Sequence, residues 1–269
     1  MQNIKKGLYR HFKGTLYEVL HVARDTETEA ACVVSRDVTD HQKIWVRPAA
    51  MWCEDVTRDG ITQPRFSYLG EAPRRVYDIS QEVFSCCVWP GDPMPQRQVL
   101  CDMGEGDLYN LTAFSMCAHN GTHVDAPAHF IADGQTVDAL PLDAMVGRCY
   151  VATHQGEVDA ATITEILHRA AQADVAAAKR ILVRGHATLT YEAAEVLVAQ
   201  GVRLYGNESQ TVGPENAPMA VHQLLLGAQI VLLEGVRLAD VPDGLYTLCA
   251  APINLGGAEG APCRAVLLD

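Results

Sequence analysis

Four side chains that can bind a metal ion or transfer a proton fall within eleven residues of the chain. They are His119, His123, Asp125 and His129. Imidazole nitrogens and carboxylate oxygens are ligands that Zn²⁺ and other first-row metals accept in proteins. A single histidine is more often an ordinary, partly buried residue, but three histidines and an aspartate at this density favour a metal site.

The spacing of these residues restricts the backbone that carries them. On a helix, at about 100° per residue, Asp125 and His129 would lie far around the cylinder from the first two histidines. An extended chain places all four odd-numbered positions on one face, but a straight strand would separate His119 from His129 by roughly 33 Å. The segment must therefore bend, and Gly121 and Pro127 are the residues that permit or force the bend.

One segment rarely completes a metal site, and the remaining candidates are His222 and Glu234. Glu234 follows the apolar run 230–233, where a carboxylate is costly unless it reaches the surface, pairs or binds a cation. Ligands of α/β sheets gather at the carboxyl ends of strands, and Glu234 lies at such an end. His222 lies in the short helix predicted before this strand. Taken alone, Glu234 would somewhat more often be a solvated carboxylate at a strand end. Likewise, His222 would somewhat more often be a histidine on a helix surface.

Nucleophilic hydrolysis is a weaker alternative. The chain contains no G-x-S-x-G sequence, the turn that presents the nucleophile of many serine hydrolases. Cys117 lies two residues before His119, but its apolar neighbours favour a buried structural thiol.

The composition excludes several classes of protein. With 48% hydrophobic and 20% charged residues, the chain has an ordinary globular composition. No apolar run approaches the roughly 18 residues of a membrane span, and the first residues do not resemble a secretion signal, so we expect a cytoplasmic protein without a membrane partner. The nine cysteines include no C-x-x-C pair, which favours reduced thiols. The formal net charge of −12 argues against a nucleic-acid partner.

An uneven distribution of charge suggests two domains. Residues 1–70 carry a net charge of +1 and residues 71–269 carry −13. Short strands separated by polar turns are predicted in the first part. They are Leu16–Val22, Ala31–Ser35 and Lys43–Val46. A linker at 69–75 follows, and we place the domains at residues 1–71 and 72–269.

Strands and helices alternate in the second part. The predicted strands are Arg180–Arg184, Val202–Tyr205, Ala228–Glu234, Leu245–Ala250 and Arg264–Leu268. The predicted helices are Asp159–Lys179, Thr190–Gln200 and Pro218–Leu226. Thr190 and Gly201 are the expected N-cap and C-cap of the second helix. This βαβαβ order predicts an α/β domain whose sheet is at least partly parallel.

The run from His119 to Phe130 resembles the H-x-G-T-H-x-D-x-P-x-H-F signature of the cyclase family, which includes bacterial kynurenine formamidases and isatin hydrolases. The signature is specific, since several reactive residue types agree at fixed spacings. The resemblance extends over about residues 76–269. It includes Trp89-Pro90-Gly91-Asp92, Val221-His222-x-x-Leu225-Leu226, Leu233-Glu234-Gly235, Ala251-Pro252-Ile253 and Pro262-x-Arg264-Ala265. It implies a metal-dependent hydrolase with a swivelling β/β/α fold that usually forms an oligomer, such as a homodimer or homotetramer.

In kynurenine formamidases the equivalent residues hold two zinc ions, so the resemblance implies roles by position. The implied ligands are His119 and His123 for the first metal, His222 for the second, and Asp125 and Glu234 between the two. His129 would donate and accept the proton, and Trp89 would line the substrate pocket. Mn²⁺ is an alternative to Zn²⁺.

Two stretches depart from the family pattern. Many relatives have R-T-G where this chain has Arg184-Gly185-His186, and G-x-D-x-x-S where it has Gly206-Asn207-Glu208-Ser209. The candidate ligands are intact, but the identity of the substrate does not follow from the resemblance.

Residues 1–70 resemble a small bacterial domain of unknown function that looks like an SH3-like β-barrel. The matching stretches are Gly7-x-Tyr9-Arg10-His11-Phe12-Lys13-Gly14, Ile44-Trp45-Val46-Arg47-Pro48 and Pro64-Arg65-Phe66. The aromatic and basic residues in these stretches could form a binding face. Packing of a small barrel core is the favoured interpretation, because aromatic side chains dominate small cores.

The leading hypothesis is an amidohydrolase that cleaves a C–N bond of a formamide, a lactam or a related amide with metal-activated water. His129 would transfer the proton, since an imidazole titrates near neutral pH. The alternative is a non-catalytic metal-bearing sensor or scaffold in which residues 1–71 are the recognition module.

Overall fold

The computed structural model describes residues 4–40, 43–72 and 75–269. Its contacts divide the chain into two compact units, Met1–Arg74 and Arg75–Asp269. Of the predicted linker, residues 73–74 lie outside the described residues.

The first unit is a small antiparallel sheet with a short helix. Its elements are β1 (Gly7–His11), β2 (Leu16–Arg24), β3 (Ala31–Asp37), β4 (Ile44–Pro48), α1 (Ala49–Trp52), β5 (Asp55–Arg58), β6 (Ile61–Pro64) and β7 (Phe66–Gly70). Five strands pair in the order β4-β3-β2-β1-β7, and β5 and β6 form a separate hairpin. The guanidinium carbon of Arg47 on β4 lies 5.7 Å from the centre of the Phe66 ring on β7. The two end strands therefore curl toward each other, as in a barrel.

Aromatic residues form much of the core of this unit. Trp52 stacks on Phe66 with ring centres 3.7 Å apart, and Tyr9 meets Trp52 edge-on at 5.3 Å. Tyr9 is therefore a core residue, as the favoured interpretation predicted, whereas Trp45 on β4 is 52% exposed.

The second unit is an α/β domain. Its strands are β8 (Val76–Asp78), β9 (Gln96–Cys101), β10 (Leu111–Ser115), β11 (His123–Asp125), β12 (Val146–Thr153), β13 (Gly156–Val158), β14 (Arg180–Arg184), β15 (Ala187–Leu189), β16 (Leu204–Asn207), β17 (Val231–Glu234), β18 (Gly244–Cys249), β19 (Gly260–Pro262) and β20 (Val266–Leu268). Its helices are α2 (Leu142–Met145), α3 (Ala160–Ala173), α4 (Tyr191–Ala199) and α5 (Met219–Gly227).

A nine-stranded mixed sheet organises this unit, in the order β19-β11-β17-β16-β14-β12-β18-β20-β8. The pairs β12/β14, β14/β16 and β16/β17 are parallel, because α3, α4 and α5 connect these strands as crossovers. This confirms the predicted βαβαβ order. The three helices pack on one face of the sheet, in a core with Ile163, Leu197 and Leu225. A second core that includes Met145 and Leu248 covers the other face.

Several predicted element bounds differ from the observed ones, and two of the larger differences have local reasons. Helix α3 ends at Ala173 instead of Lys179, because Asp174 is extended and its side chain accepts the N–H of Ala176. Strand β17 begins at Val231, three residues later than predicted, because residues 228–230 close α5: the N–H of Ile230 donates to the carbonyl of Leu225. Strand β16 begins at Leu204 rather than at residue 202.

The caps of α4 follow the prediction. The side chain of Thr190 accepts the N–H of Ala193 at 3.2 Å, and Gly201 takes the left-handed conformation with φ of 61°. None of the helices in the described part of the chain has the length and hydrophobicity that a bilayer crossing requires.

Candidate metal centre

The candidate residues meet where a short strand enters the sheet. Strand β11 lies between β17 and β19, and its antiparallel register places His123 directly opposite Glu234. Side chains of directly opposite residues lie on the same face of a sheet. This pairing therefore joins the histidine-rich segment to the carboxylate at the end of β17, and all three residues of β11 are buried.

Both predicted bends are present. Gly121 has a φ of 66°, and a Cβ atom at this position would lie 2.8 Å from the Cβ of Cys86, so glycine is required here. Pro127 begins a 3₁₀ turn, Pro127–His129, directly after the strand. As a result the rings of His119 and His129, at the two ends of the segment, stack with centres 3.9 Å apart.

Asp125 lies at the centre of the cluster. Its Oδ1 lies 2.9 Å from Nδ1 of His119 and 3.3 Å from Nε2 of His123. Its Oδ2 lies 3.7 Å from Nε2 of His222. One carboxylate therefore faces three imidazoles, which suits a ligand shared between two cations.

Glu234 completes the second half of the cluster. Its Oε1 lies 3.1 Å from Nε2 of His222 and accepts the N–H of Val212 at 2.8 Å. Its Oε2 lies 3.5 Å from Nε2 of His123. Ligand atoms of two sets of three residues each fall within 4.8 Å of one another: His119, Asp125 and His129, and His123, Asp125 and Glu234.

Backbone carbonyls orient two of the imidazoles. Nδ1 of His123 lies 3.0 Å from the carbonyl of Gly121, and Nδ1 of His222 lies 2.9 Å from the carbonyl of Pro218. Because a carbonyl only accepts, each Nδ1 carries the proton. In the neutral ring the lone pair of Nε2 then points at carboxylate oxygens, an arrangement that requires a proton or a metal cation between them.

Two further atoms support a cation at this place. Oδ2 of Asp125 and Nε2 of His119 are buried and have no hydrogen-bond partner among the described residues. Such atoms are costly unless a ligand satisfies them. The donor set of imidazole nitrogens and carboxylate oxygens therefore fits a first-row divalent metal.

The pKa values in the cluster depend on burial and on these contacts. Burial would raise the pKa of Asp125, but hydrogen bonds from His119 and His123 hold it well below its usual range. Burial would lower the pKa of His123, but Asp125 and Glu234 raise it to about 10. For His222, burial is likewise outweighed, mainly by Glu234, and the pKa is raised. Without a metal, protons therefore occupy the place between the imidazoles and the carboxylates.

His129 behaves differently from the other histidines. Burial lowers its pKa below the ordinary 6.5, and together with a further lowering by His119 and His222 it outweighs the opposing effect of the Asp125 and Glu234 carboxylates. The imidazole of His129 is therefore neutral near pH 7 and can accept a proton.

A cleft opens over the cluster. A cavity of about 360 Å³ is lined by all four candidate histidines and Glu234, together with Trp89, Asp92, Gln210, Thr211 and Glu259. Trp89 and Asp92 are the two ends of a turn in which the N–H of Asp92 donates to the carbonyl of Trp89, with Gly91 at a φ of 101°. The Pro-Gly pair thus aims both end residues at the cavity. Trp89, for which the resemblance implied a place in the substrate pocket, lines this cavity.

A second cavity adjoins the first. Its volume is about 510 Å³, and Trp89 and Gln210 line both cavities. The two stretches that depart from the family pattern reach this second cavity, through His186 and Glu208. Glu208 accepts the N–H groups of Gly185 and Leu238, so it ties the two departing stretches together.

Sequence reasoning missed several polar residues of the cleft. Glu259 lies directly before β19, and its Oε1 is 3.4 Å from Nε2 of His119. Its distance from the histidine-rich segment along the chain hides this contact, although its position beside the Pro262-x-Arg264-Ala265 stretch is a weak signal. Gln210 and Thr211 directly follow the stretch 206–209, which departs from the family pattern. This departure was the sequence feature that could have indicated them.

Known protein families match both units of the chain. A family model described as putative cyclase matches residues 77–214, and one described as a protein of unknown function, DUF1653, matches residues 7–68. The kynurenine formamidase of Erythrobacter litoralis is 31% identical over 213 residues, covering 74% of this chain and 96% of that enzyme. The kynurenine formamidase of Salinibacter ruber is 34% identical over 208 residues, covering 71% and 96%.

Solved structures show the same fold. A predicted metal-dependent hydrolase from Bacillus stearothermophilus superposes with a TM-score of 0.60 at 26% identity and covers 74% of this chain and 100% of its own. Isatin hydrolase A from Labrenzia aggregata has a TM-score of 0.60 at 22% identity and covers 72% and 93%.

Proposed function

Since this chain belongs to the cyclase family, we propose that it is a metal-dependent amidohydrolase that cleaves the C–N bond of a formamide, a lactam or a related amide. The observation that carries the proposal is the convergence of the Nε2 atoms of His123 and His222 on the carboxylates of Asp125 and Glu234. The two formamidase relatives support the reaction class.

Five residues would hold the metal. We assign His119 and His123 to one Zn²⁺, His222 to a second, and Asp125 and Glu234 to both, with Mn²⁺ as the alternative ion. A divalent cation at such a site lowers the pKa of a coordinated water to about 7 and polarises a carbonyl oxygen. The carbonyl groups of Gly121 and Pro218 keep the two buried imidazoles in the tautomer that this ligation requires.

His129 and Trp89 would serve the substrate. His129 lines the cavity and stacks on His119, and its lowered pKa keeps the ring neutral and ready to take a proton from the attacking water. The same nitrogen can return that proton to the leaving nitrogen of the amide. Trp89 presents an aromatic face to both cavities, where a planar acyl or aryl group can pack.

A direct test uses the purified full-length chain loaded with Zn²⁺ or Mn²⁺. Metal content is measured first, and formanilide, a cyclic imide and a lactam are then offered as substrates. We expect turnover of at least one of them, and loss of both bound metal and turnover in Asp125→Asn. His168→Ala is the matched histidine control, because His168 is exposed on α3 and does not line the cleft. A fully metal-loaded protein that hydrolyses none of the three classes would contradict the proposal and favour a metal-bearing sensor.

We also propose that the enzyme is a homodimer or homotetramer. The hairpin of β9 and β10 pairs with no other strand among the described residues, and an isolated hairpin is marginally stable in water. It exposes apolar side chains along its length, namely Val99, Leu100, Leu108, Tyr109 and Phe114. Exposed apolar surface of this kind is typical of protein interfaces. Light scattering of the full chain tests this, and a monomer at micromolar concentration would contradict it.

We also propose domain limits of 1–71 and 72–269 and a cytoplasmic location. All nine cysteines are free thiols, which favours a reducing compartment. Limited proteolysis near residue 72 and cell fractionation test the two proposals.

A further inference from the structure

The first unit carries a group of positively charged side chains that the packing of its core does not explain. They are Lys13 in the turn after β1, Arg47 on the end strand β4, and Arg65 directly before β7. Arg65 is paired with the carboxylate of Glu54. The side chains of Lys13 and Arg47 form no hydrogen bond or ion pair with a described residue. Two positive charges in this unit therefore have no ion-pair partner in the described part of the chain.

The imidazole of His11, at the end of β1, lies between these two charges. Its ring centre is 4.4 Å from that of Phe12 and 4.9 Å from that of Phe66. Nζ of Lys13 lies 5.7 Å from the centre of the Phe12 ring. The guanidinium carbon of Arg47 lies 5.7 Å from the centre of the Phe66 ring. Each cation thus lies beside a ring that contacts His11, and we call His11, Lys13 and Arg47 the donor cluster.

His11 adds an uncharged N–H group to the donor cluster. Its Nδ1 accepts the backbone N–H of Lys13 at 3.4 Å, so Nε2 carries the proton of the neutral ring. Burial lowers the pKa of His11, and the charges of Arg47, Arg65 and Lys13 lower it further. The ring is therefore neutral near pH 7, and Nε2 is available as a donor.

Two buried N–H groups give an independent sign of a ligand. Nε1 of Trp52 and Nε of Arg65 are the buried side-chain atoms of the first unit, among the described residues, that have no hydrogen-bond partner. Trp52 is 2% exposed and stacks on Phe66, and the guanidinium carbon of Arg65 lies 6.0 Å from the centre of the Phe12 ring. Both groups therefore belong to the rings around the donor cluster. Both are donors, and buried donors are costly unless something accepts from them.

The unused groups of this region have the chemistry of an anion site. They comprise two cations and several N–H donors, and they include no unused acceptor among the buried side-chain atoms of the described part of this unit. A phosphate group carries a charge of about −1.5 to −2 at pH 7 and has three strong acceptor oxygens. It can therefore balance both cations. A guanidinium binds two oxygens of such a group at once, whereas a carboxylate would leave one cation unbalanced.

From these observations we propose that the first unit holds an anion site that binds a phosphate group at the donor cluster. The guanidinium of Arg47 donates to two phosphate oxygens. Nε2 of His11 and the ammonium of Lys13 donate to the remaining oxygen. The site shares no residue with the candidate metal centre, so it does not depend on the proposed hydrolytic function.

Calorimetric titration of the metal-loaded full chain at constant ionic strength tests the class of ligand. The probes are inorganic phosphate, phenyl phosphate and acetate. We expect a phosphate site that depends on Arg47 and binds acetate about tenfold more weakly or not at all, since a charge-assisted hydrogen bond is lost. Tighter binding of phenyl phosphate would support the proposal with a phosphate ester as the ligand, and tighter binding of inorganic phosphate would support it with the free ion. Equal affinity of this site for acetate would overturn the assignment to phosphate.

Substitution of Arg47 tests the assigned residue. Arg47→Ala should weaken phosphate binding about tenfold or more. Arg47→Lys keeps the charge but lacks the guanidinium fork and should give an intermediate loss. Arg24→Ala is the matched control, because it removes the same charge from the exposed end of β2, and it should bind phosphate within about twofold of the wild type. Equal losses in Arg47→Ala and Arg24→Ala would overturn the proposal, because they would indicate attraction to the overall charge.

A second variant covers the case in which loss of the Arg47 contact with Phe66 disturbs folding, which circular dichroism would reveal. Lys13 is exposed in a turn, so Lys13→Ala should fold normally. It should weaken phosphate binding by about twofold to fivefold, as expected for an exposed charge pair. Wild-type phosphate affinity in a folded Lys13→Ala protein, or no phosphate bound by the wild-type chain, would contradict the proposal.

Discussion

Replacing His129 by alanine distinguishes a proton-transfer residue from a metal ligand. Ligand atoms of His129, His119 and Asp125 fall within 4.8 Å of one another, so His129 is close enough to bind a cation. In the described structure, however, its ring stacks on His119 at 3.9 Å and meets Phe130 edge-on at 4.4 Å, and its pKa is lowered, not raised. These features favour proton transfer.

The expected effects of His129→Ala follow from this geometry. A general acid–base group contributes about 10²–10⁴-fold to kcat, which is about 3–5 kcal/mol of transition-state stabilisation. Loss of two ring contacts at about 0.5–1.5 kcal/mol each should lower the free energy of unfolding by about 1–3 kcal/mol. The five assigned ligands are untouched, so the metal content should equal that of the wild type.

The assay combines three measurements on one preparation. Metal is counted by mass spectrometry after desalting, kcat is measured with formanilide, and stability is measured by urea denaturation. His168→Ala, on the exposed face of α3, serves as the control. Loss of one metal ion per chain in His129→Ala would contradict a proton-transfer role, because it would make His129 a ligand. Wild-type kcat with full metal content would exclude His129 from the reaction.

Three further predictions address the rest of the centre. Gly121→Ala should destabilise the protein by about 1–3 kcal/mol in a denaturation experiment, because Gly121 has a positive φ and lies close to Cys86. The control is Gly257→Ala, because Gly257 has a φ of 78° but open space around it, and this substitution should cost less. Equal losses of stability in the two variants would count against the contact with Cys86. Removal of the metal by a chelator should lower the melting temperature of the protein, and readdition of Zn²⁺ should restore it. A metal at about 1,000 times its dissociation constant stabilises the folded state by roughly 4 kcal/mol. An unchanged melting temperature would argue against a metal at the candidate centre. Zn²⁺ binding at pH 7.5 should release about one to two protons, because the pKa values of His123 and His222 are raised, that of His123 to about 10. Metal affinity should therefore rise with pH over the range below 10. Calorimetry in buffers of different ionisation enthalpy measures the proton release, and the absence of any release would contradict the assigned protonation.

The chemistry of the centre could be predicted from the sequence because its main signals are local. His119, His123, Asp125 and His129 lie within one short segment, and the reactive types alone favour a metal. The bends also follow from residues within the segment, since glycine readily adopts the positive φ of 66° at Gly121 and proline starts the turn at Pro127. The cap at Thr190 and the crossover order of the parallel strands are local in the same sense.

The residues that the histidine-rich segment contacts are set by the tertiary structure alone. The register that sets His123 against Glu234 depends on burial of both faces of a sheet between residues far apart in the chain, and a shift of one residue would have turned the ligands away from each other. The tautomers of His123 and His222 depend on carbonyl groups placed by the fold. Asp92, Gln210 and Glu259 reach the cleft from three separate loops. The residue types alone do not predict these positions in the cleft. An acidic or amide side chain on a loop can act on a ligand only if the packed helices and strands leave a cavity beside it.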